Sequence, residues 1–460
     1  MDPWIIVVAF LYHPTHRHKH ELYAVNKKFQ EWVTQLYRKQ FVCDWRYLPL
    51  DERTKVFKIT QYYCGEELPP QITYVEATAF NNHAWPAWPT ALKHLNLNIN
   101  MNMNADNQPP LHNLPSSLEI LELKDFNQPI TLPEELVRFN MSFNFNQPIV
   151  FPPHLKYLML GPNFKQAVDY WPPQLEVLTI IQNLPCGKIH GLPSSLFGLS
   201  LGYNFDQPIV LPPNLKYLYM TLNGGIFNQP LHLPDSLTSL RCSKCFNQPL
   251  VLPSGLSTLI FGNDFNQKLE LPSSLVKLRL GHCWNQSFGS LPHSLRSLEL
   301  GDQFNQPISL PPNLSLLRFG RMFNQTLLLP LTLSYLTFGR RFNQPISLPP
   351  HLTVLEFGDD FNQPLDLPKH LVALGLGKGF RQCLHDFLPP ALHTLMFYNA
   401  NLFDFPPRQR QWLLRQNGNL IVFYKQKLDR LRMHFKKRRT RKRHSSRVLR
   451  PCKKRKITPR

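Results

Sequence analysis

The sequence lacks the motifs on which common catalytic sites depend. Its 460 residues hold no glycine-rich phosphate loop, no His-Glu-x-x-His helix and no strand-turn-helix nucleophile elbow. Acidic residues are few, with 30 Asp and Glu against 51 Lys and Arg, and no pair of acids stands apart from the repeat described below. These absences predict a protein that is not an enzyme and needs no cofactor.

Cysteines and long apolar runs are also scarce. The eight cysteines have no framework spacing, which is typical of a reducing intracellular compartment. Cys242-Ser-Lys-Cys245 has the spacing of half a zinc site, but no second pair stands nearby, so no metal is expected. The apolar run from Trp4 to Tyr12 is too short to span a bilayer and follows Asp2, so we expect no membrane partner.

A period of about nineteen residues dominates what is present. Phe304-Asn-Gln-Pro-Ile-Ser-Leu-Pro-Pro-Asn-Leu-Ser-Leu-Leu-Arg-Phe-Gly-Arg-Met322 is followed at once by a new copy that begins at Phe323. A unit this short cannot bury a core by itself, so successive units must stack as a solenoid. Aligned copies predict about sixteen coils within residues 85–400.

Each coil has two halves with different chemistry. Leu295-Arg-Ser-Leu-Glu-Leu300 is the strand half of a leucine-rich repeat, with one short parallel strand per coil. The prolyl half, Phe-Asn-Gln-Pro-x-x-Leu-Pro, is too short for a helix and predicts a turn-rich, mostly helix-free convex side. We expect its Phe side chains to stack and its Asn side chains to pair with open backbone groups. Glycines such as Gly301, Gly320, Gly339 and Gly358 recur at the strand end, where the chain must turn.

These units resemble the FNIP repeat, which is found mainly in proteins of amoebae and of the giant viruses that infect them. The resemblance covers roughly residues 85–400 and implies a leucine-rich-repeat-like interaction protein, intracellular and in a host cell if viral. The motif has been lost near Leu184, which predicts an irregular sheet there. Phe-Asn-Gln-Pro stands unaltered at Phe126, Phe145, Phe227, Phe246, Phe304, Phe342 and Phe361.

The N-terminal residues 1–41 read as helix, loop, helix. Asp2-Pro-Trp-Ile-Ile-Val-Val-Ala-Phe-Leu11 and Leu22-Tyr-Ala-Val-Asn-Lys-Lys-Phe-Gln-Glu-Trp32 resemble the two helices of an F-box, which implies binding of a Skp1-type adaptor and recruitment of a ubiquitin ligase. The other interpretation is a helical cap on the first coil. Residues 42–84 are a connecting segment in which a decayed coil can begin at Leu68. The residues that the resemblance assigns to the adaptor are Pro3, Ile5, Ile6, Phe10, Leu11, Val25, Phe29 and Trp32.

Beyond a predicted cap at 401–424, residues 425–460 hold 18 Lys and Arg against Asp429 alone, so this tail contributes +17 of the net charge of +21. Such a run predicts a disordered segment that serves as a nuclear-import signal or binds nucleic acid, unless it is simply solvated. The residues in question are Lys436, Lys437, Arg438, Arg439, Arg441, Lys442, Arg443, Lys453, Lys454, Arg455 and Lys456.

A protein partner would meet the outward positions of the strands. Tyr and Arg are the residue types enriched at interface hot spots, although exposed strands favour Tyr for β-propensity alone. The predicted function is a substrate-recognition subunit of a ubiquitin ligase, a plain repeat scaffold, or a nucleic-acid binder that acts through its tail. The candidate partner-binding residues are Tyr157, Tyr217, Tyr219, Arg241, Lys277, Arg279 and Arg318.

Overall fold

In the computed structural model the chain forms two compact units, Met1–Gly262 and Asn263–Arg460. The predicted module 1–41 and the predicted basic tail 425–460 lie outside the described residues, and only the backbone of 421–424 is described within the predicted cap. The structure describes residues 58–63, 68, 70–79, 85, 87–99, 111–141, 143–185, 189–222, 224–382, 388–397 and 421–424.

The described residues of the first unit form eleven strands, and each strand pairs in parallel with the next along the chain. The strands are β1 (Lys58–Tyr63), β2 (Tyr74–Ala79), β3 (His94–Ile99), β4 (Ile120–Lys124), β5 (Arg138–Asn140), β6 (Tyr157–Leu160), β7 (Val177–Gln182), β8 (Gly198–Asn204), β9 (Tyr217–Met220), β10 (Ser239–Arg241) and β11 (Thr258–Ile260).

In the part of the second unit that the structure describes there are eight strands, again parallel and paired in chain order. No helix occurs in the described part of the chain, so none there is long and apolar enough to cross a membrane. The strands are β12 (Lys277–Arg279), β13 (Ser297–Glu299), β14 (Leu316–Arg318), β15 (Tyr335–Thr337), β16 (Val354–Glu356), β17 (Ala373–Leu376), β18 (Thr394–Phe397) and β19 (Ile421–Tyr424).

Each unit is therefore a parallel β-solenoid with one short strand per coil, as the repeat predicts. The Leu-x-x-Leu-x-Leu pattern produces the strand because alternate side chains point to opposite faces. In β13 the central Leu298 is fully buried, with Leu295 before it and Leu300 after it also in the core. Each buried leucine contributes about 1.5–3 kcal/mol, and only the neighbouring coils supply the surface that buries it.

Within each unit, phenylalanines of the prolyl half stack on one another in the core, which confirms their predicted stacking. The ring of Phe323 lies 5.9 Å from that of Phe304 and 6.1 Å from that of Phe342, with interplanar angles of 4° and 7°. A second column runs beside the first, where Phe319 and Phe338 stack at 5.4 Å. These spacings are in the range for favourable aromatic pairs, so the repeat is stabilised by contacts one coil apart.

The asparagines that follow these phenylalanines form a hydrogen-bonded ladder. The backbone N–H of Asn324 donates to Oδ1 of Asn305 at 2.9 Å, and the N–H of Asn343 donates to Oδ1 of Asn324 at 2.9 Å. The next residue supports each step, since Gln325 Nε2 donates to the backbone oxygen of Asn305 at 3.2 Å. The same bond recurs along both units, so Asn satisfies the backbone donors that the turn leaves open.

The ladder is interrupted near the coil that lost the motif. Lys165 stands where other coils have Asn, and its ammonium group cannot accept a hydrogen bond. The ladder resumes at Asn183, whose Oδ1 accepts the N–H of Asp206 at 2.8 Å. Next to this interruption the pairing of β7 with β8 shifts register just before Gln182, so the sheet is irregular where the sequence near Leu184 indicated.

The recurring glycines lie at the strand ends, just before a turn, and the structure adds a second reason for them. Among the described glycines, those with a positive φ are Gly191 and Gly224, and neither belongs to the strand-end column. A Cβ on Gly320 or Gly339 would instead overlap the carbonyl group of the glycine one coil earlier. At Gly320 and Gly339 glycine is needed because the neighbouring backbones approach too closely for a side chain.

Candidate interaction surface

The outward side chains of the strands form two parallel rows in each unit. In a three-residue strand such as β14, Leu317 points into the core, while Leu316 and Arg318 point away from it. Register places Leu316 beside Tyr335 and Arg318 beside Thr337 on the next strand. Since parallel strands lie about 4.8 Å apart, side chains in one row are close enough to form a continuous binding surface.

In the first unit, aromatic and cationic side chains gather on β9, on β10 and at the residue just before β8. We call Phe197, Tyr217, Tyr219 and Arg241 the aromatic cluster. The ring of Tyr217 lies 6.4 Å from that of Phe197 and 6.2 Å from that of Tyr219, while the guanidinium of Arg241 lies over the Tyr219 ring at 4.8 Å. Tyr217 and Arg241 are exposed. Stacked Tyr and Arg side chains of this kind present apolar area and hydrogen-bonding groups together.

The predicted residue Tyr157 lies on β6 and is engaged by its own chain. The guanidinium of Arg138 lies 4.6 Å from the centre of its ring, and its hydroxyl donates to Glu176 Oε2 at 3.3 Å. Lys156 Nζ reaches the other carboxylate oxygen of Glu176 at 2.9 Å, and this hydrogen bond raises the pKa of the Lys156 ammonium group. Tyr157 is thus half-buried and held in position by its neighbours.

In the second unit, Arg279 on β12 and Arg318 on β14 flank Glu299 on β13. We call Lys277, Arg279 and Arg318 the arginine cluster. Glu299 Oε2 lies 3.8 Å from Arg279 Nε and 3.8 Å from Arg318 Nη1. Arg318 Nη2 also donates to the hydroxyl of Tyr335 at 2.7 Å, and this bond raises the pKa of the guanidinium.

The structure therefore brings the predicted partner-binding residues together as two separate groups, one in each unit, and Tyr157 belongs to neither. Sequence reasoning missed Phe197, Glu299 and Tyr335. Glu299 falls twenty residues after Arg279, and Tyr335 falls nineteen residues after Leu316, so the repeat period itself was the signal that could have located them. These groupings supply no test of binding, and the assignments remain predictions.

No catalytic arrangement was found among the described residues. Gly198-Leu-Ser-Leu-Gly202 has the letters of a nucleophile elbow, but Ser200 lies inside β8 instead of on a strand-to-helix turn. No group of three or more His, Cys, Asp or Glu residues that could hold a metal occurs in the described ranges. Cys242 is fully buried and Cys245 half-buried, and burial raises the pKa of the Cys242 thiol.

One open notch lies at the interruption of the asparagine ladder and has a volume of about 450 Å³. It carries no cluster of charged or nucleophilic groups, since Lys165 is the one ionisable residue in its lining. The lining residues are Lys165, Gln182, Asn183, Leu184, Pro185 and Asn204.

The period, the phenylalanine column and the asparagine ladder all coincide with a known repeat. A family model of the FNIP repeat matches three consecutive segments, residues 246–283, 284–322 and 323–360. Residues 246–360 are FNIP repeats. The arginine cluster therefore lies within the matched FNIP repeats, whereas Tyr217, Tyr219 and Arg241 precede them. FNIP and leucine-rich repeats are generally interaction scaffolds without enzymatic activity.

Two solved structures resemble this chain in part. CroV588, described as a novel circular LRR protein, is 28% identical over 81% of this chain and 76% of its own length, with a TM-score of 0.42. YopM from Yersinia enterocolitica WA-314 is 20% identical over 81% of this chain and 100% of its own length, also with a TM-score of 0.42. No curated protein matches the chain significantly.

Proposed function

We propose that this protein is a non-enzymatic scaffold that binds a protein partner through the outward strand faces of its solenoid units. The observation that carries the proposal is the placement of Tyr and Arg side chains in two groups on the outward faces of regularly paired strands. Tyr and Arg bury large area and donate several hydrogen bonds, which suits them to protein contacts. Because their positions are fixed by neighbouring coils, little conformational freedom is lost on binding.

The experiment that tests this proposal compares partner capture by two triple variants in cells. In the first, Tyr217, Tyr219 and Arg279 are all replaced by alanine, and the set of captured proteins should shrink. The matched control replaces Phe143, Tyr170 and Arg340, which are also exposed but lie outside the strands and outside both clusters. If both variants capture the same proteins as the unaltered chain, the strand faces are not the binding surface.

We further propose that residues 1–41 recruit a ubiquitin ligase by binding a Skp1-type adaptor. The support is the sequence resemblance of this segment to an F-box, which precedes repeats here as it does in other substrate receptors. The test is capture of a purified adaptor by the intact chain, by a chain lacking residues 1–41 and by an Ile6→Asp variant. Adaptor binding that survives both changes would leave this segment as a cap on the first coil.

The tail offers a second candidate function, favoured by its 18 Lys and Arg residues. We propose that residues 425–460 direct nuclear import or bind nucleic acid through phosphate contacts, in a protein that acts inside the cell. A fluorescent reporter fused to this segment should accumulate in the nucleus if the import reading holds. A diffuse cytoplasmic signal would contradict nuclear import. An affinity for RNA that does not fall when salt is added would contradict binding through phosphate contacts.

A further inference from the structure

The arginine cluster carries more positive charge than the adjacent acid neutralises. Three cations, Lys277, Arg279 and Arg318, point outward from β12 and β14, and Glu299 is the acid between them. The side chains of Arg279 and Arg318 are 54% and 46% exposed, whereas that of Glu299 is 20% exposed. These four residues carry a net charge of +2, and Glu356, whose charge also acts on Arg318, reduces it to +1. The cations are outermost, so the surface attracts anionic groups.

The two guanidinium groups are held in place but keep donors available. Arg318 is fixed by its hydrogen bond to the Tyr335 hydroxyl and by its position over that ring, 4.9 Å from the centroid. The guanidinium group of Arg318 has five N–H donors, and these two contacts leave some of them available to another molecule. The approach of Arg279 to Glu299 is 3.8 Å, which is longer than a hydrogen bond. A carboxylate from another molecule can thus form bonds that Glu299 does not provide.

The spacing of the arginines limits the shape of such a ligand. Arg279 and Arg318 lie on strands two apart, and parallel strands are separated by about 4.8 Å, so their backbones lie about 10 Å apart. A peptide in the extended polyproline II conformation advances about 3.1 Å per residue with three residues per turn, so side chains three positions apart lie on the same face and are separated by about 9 Å. The spacing of the peptide side chains therefore matches the spacing of the two arginines when the peptide runs across the strands.

We propose that the arginine cluster binds an acidic segment of a protein partner, extended across β12 to β14, with carboxylates three residues apart against Arg279 and Arg318. This inference rests on the scaffold function proposed above and names the class of partner that the second unit accepts. Lys277 meets a further acid or the peptide backbone at the edge of the same surface. The carboxylate of Glu299 repels the carboxylates of the bound peptide and so limits the affinity for the peptide.

The test uses the full-length protein and a short synthetic peptide with glutamate at every third position and serine and glycine elsewhere. A carbodiimide joins carboxylates to nearby amines, so peptide bound at the cluster should become attached to Lys277, as located by mass spectrometry. An Arg279→Gln, Arg318→Gln variant should lose most of this product, about tenfold or more. Site-resolved attachment separates this binding from attraction to the lysines of residues 425–460.

Three comparisons make the result decisive. An Arg340→Gln, Arg341→Gln variant removes the same charge from outside the strands and should label Lys277 normally. Glu299→Gln should increase labelling about threefold, an effect opposite in sign to that of a merely structural disruption. An isomeric peptide with its glutamates consecutive should label Lys277 less than the spaced peptide. Far-UV circular dichroism should be the same for all variants.

The inference is overturned if labelling is confined to residues 425–460, if the two double variants lose Lys277 labelling equally, or if Glu299→Gln lowers it. Equal labelling by the two peptides would overturn the proposed spacing. The scaffold function is tested separately, by partner capture in cells. If the Tyr217, Tyr219, Arg279 variant loses partners in cells while the spaced peptide never labels Lys277, the scaffold stands and the acidic ligand does not.

Discussion

The asparagine ladder yields the sharpest stability prediction, at Asn324. Its Oδ1 accepts the backbone N–H of Asn343 at 2.9 Å and Gln344 Nε2 at 3.3 Å. Asn324→Ala removes both bonds and leaves a half-buried backbone N–H without its acceptor. An unsatisfied donor of this kind costs about 1–3 kcal/mol, so we expect the free energy of unfolding to fall by about 2 kcal/mol.

The chain itself contains the matched control for this substitution. Asp206 occupies a ladder position in the first unit, where its Oδ1 accepts the N–H of Asn228 at 2.9 Å and Gln229 Nε2 at 3.1 Å. Asn324→Asp keeps an oxygen acceptor of the same shape. We therefore expect its free energy of unfolding to stay within about 0.5 kcal/mol of the unaltered protein, like that of an ordinary surface change.

The assay has a global and a local measurement. Urea unfolding followed by far-UV circular dichroism gives the stability of each variant, with Thr326→Ala as an exposed change in the same coil. Hydrogen exchange at the Asn343 amide reports the broken bond directly and should accelerate about tenfold or more in Asn324→Ala. Equal losses from Asn324→Ala and Asn324→Asp, or unchanged exchange at Asn343, would show that the ladder does not stabilise the coil.

Three further results are expected. Phe323→Ala opens a cavity in the ring column and should lower the free energy of unfolding by about 3–5 kcal/mol, and a loss under 1 kcal/mol in urea unfolding would contradict this. Gly339→Ala should cost more than about 2 kcal/mol because its Cβ meets the preceding coil, whereas Gly289→Ala, with open space around it, should be nearly neutral in the same assay. Iodoacetamide should label half-buried Cys283 in the folded protein but Cys242 only after unfolding, because Cys242 is fully buried and burial raises the pKa of its thiol. For the same reason the free energy of unfolding should decline as pH rises above the ordinary thiol pKa of about 8.5, at which the unfolded thiol ionises, and it should decline less in Cys242→Ala.

The sequence predicted the solenoid, the strand in each coil and the buried column because the repeat gives every core position many independent copies. Even Cys242 could be assigned to the core, since it shares its register with Leu and Phe in other coils. Side-chain pairing on the strand faces was not predictable in the same way. Whether Arg318 turns toward Glu299, Tyr335 or solvent depends on rotamers and on neighbours that differ from coil to coil. The close approach of backbones at the glycine column was not predictable either, because a turn and a close approach favour the same residue.

The ladder has a genetic consequence. Asn324 and Asn343 accept equivalent bonds nineteen residues apart, and each donates to its predecessor in the same geometry. Removing residues 323–341 in frame would place the Asn343 amide against Asn305, with the glycine, phenylalanine and leucine columns rejoined as well. Gain or loss of a whole coil is therefore conservative, whereas loss of a single residue within one would break several columns at once. Copy number can change in this gene while the fold is retained, and the strand faces can lengthen or shorten with it.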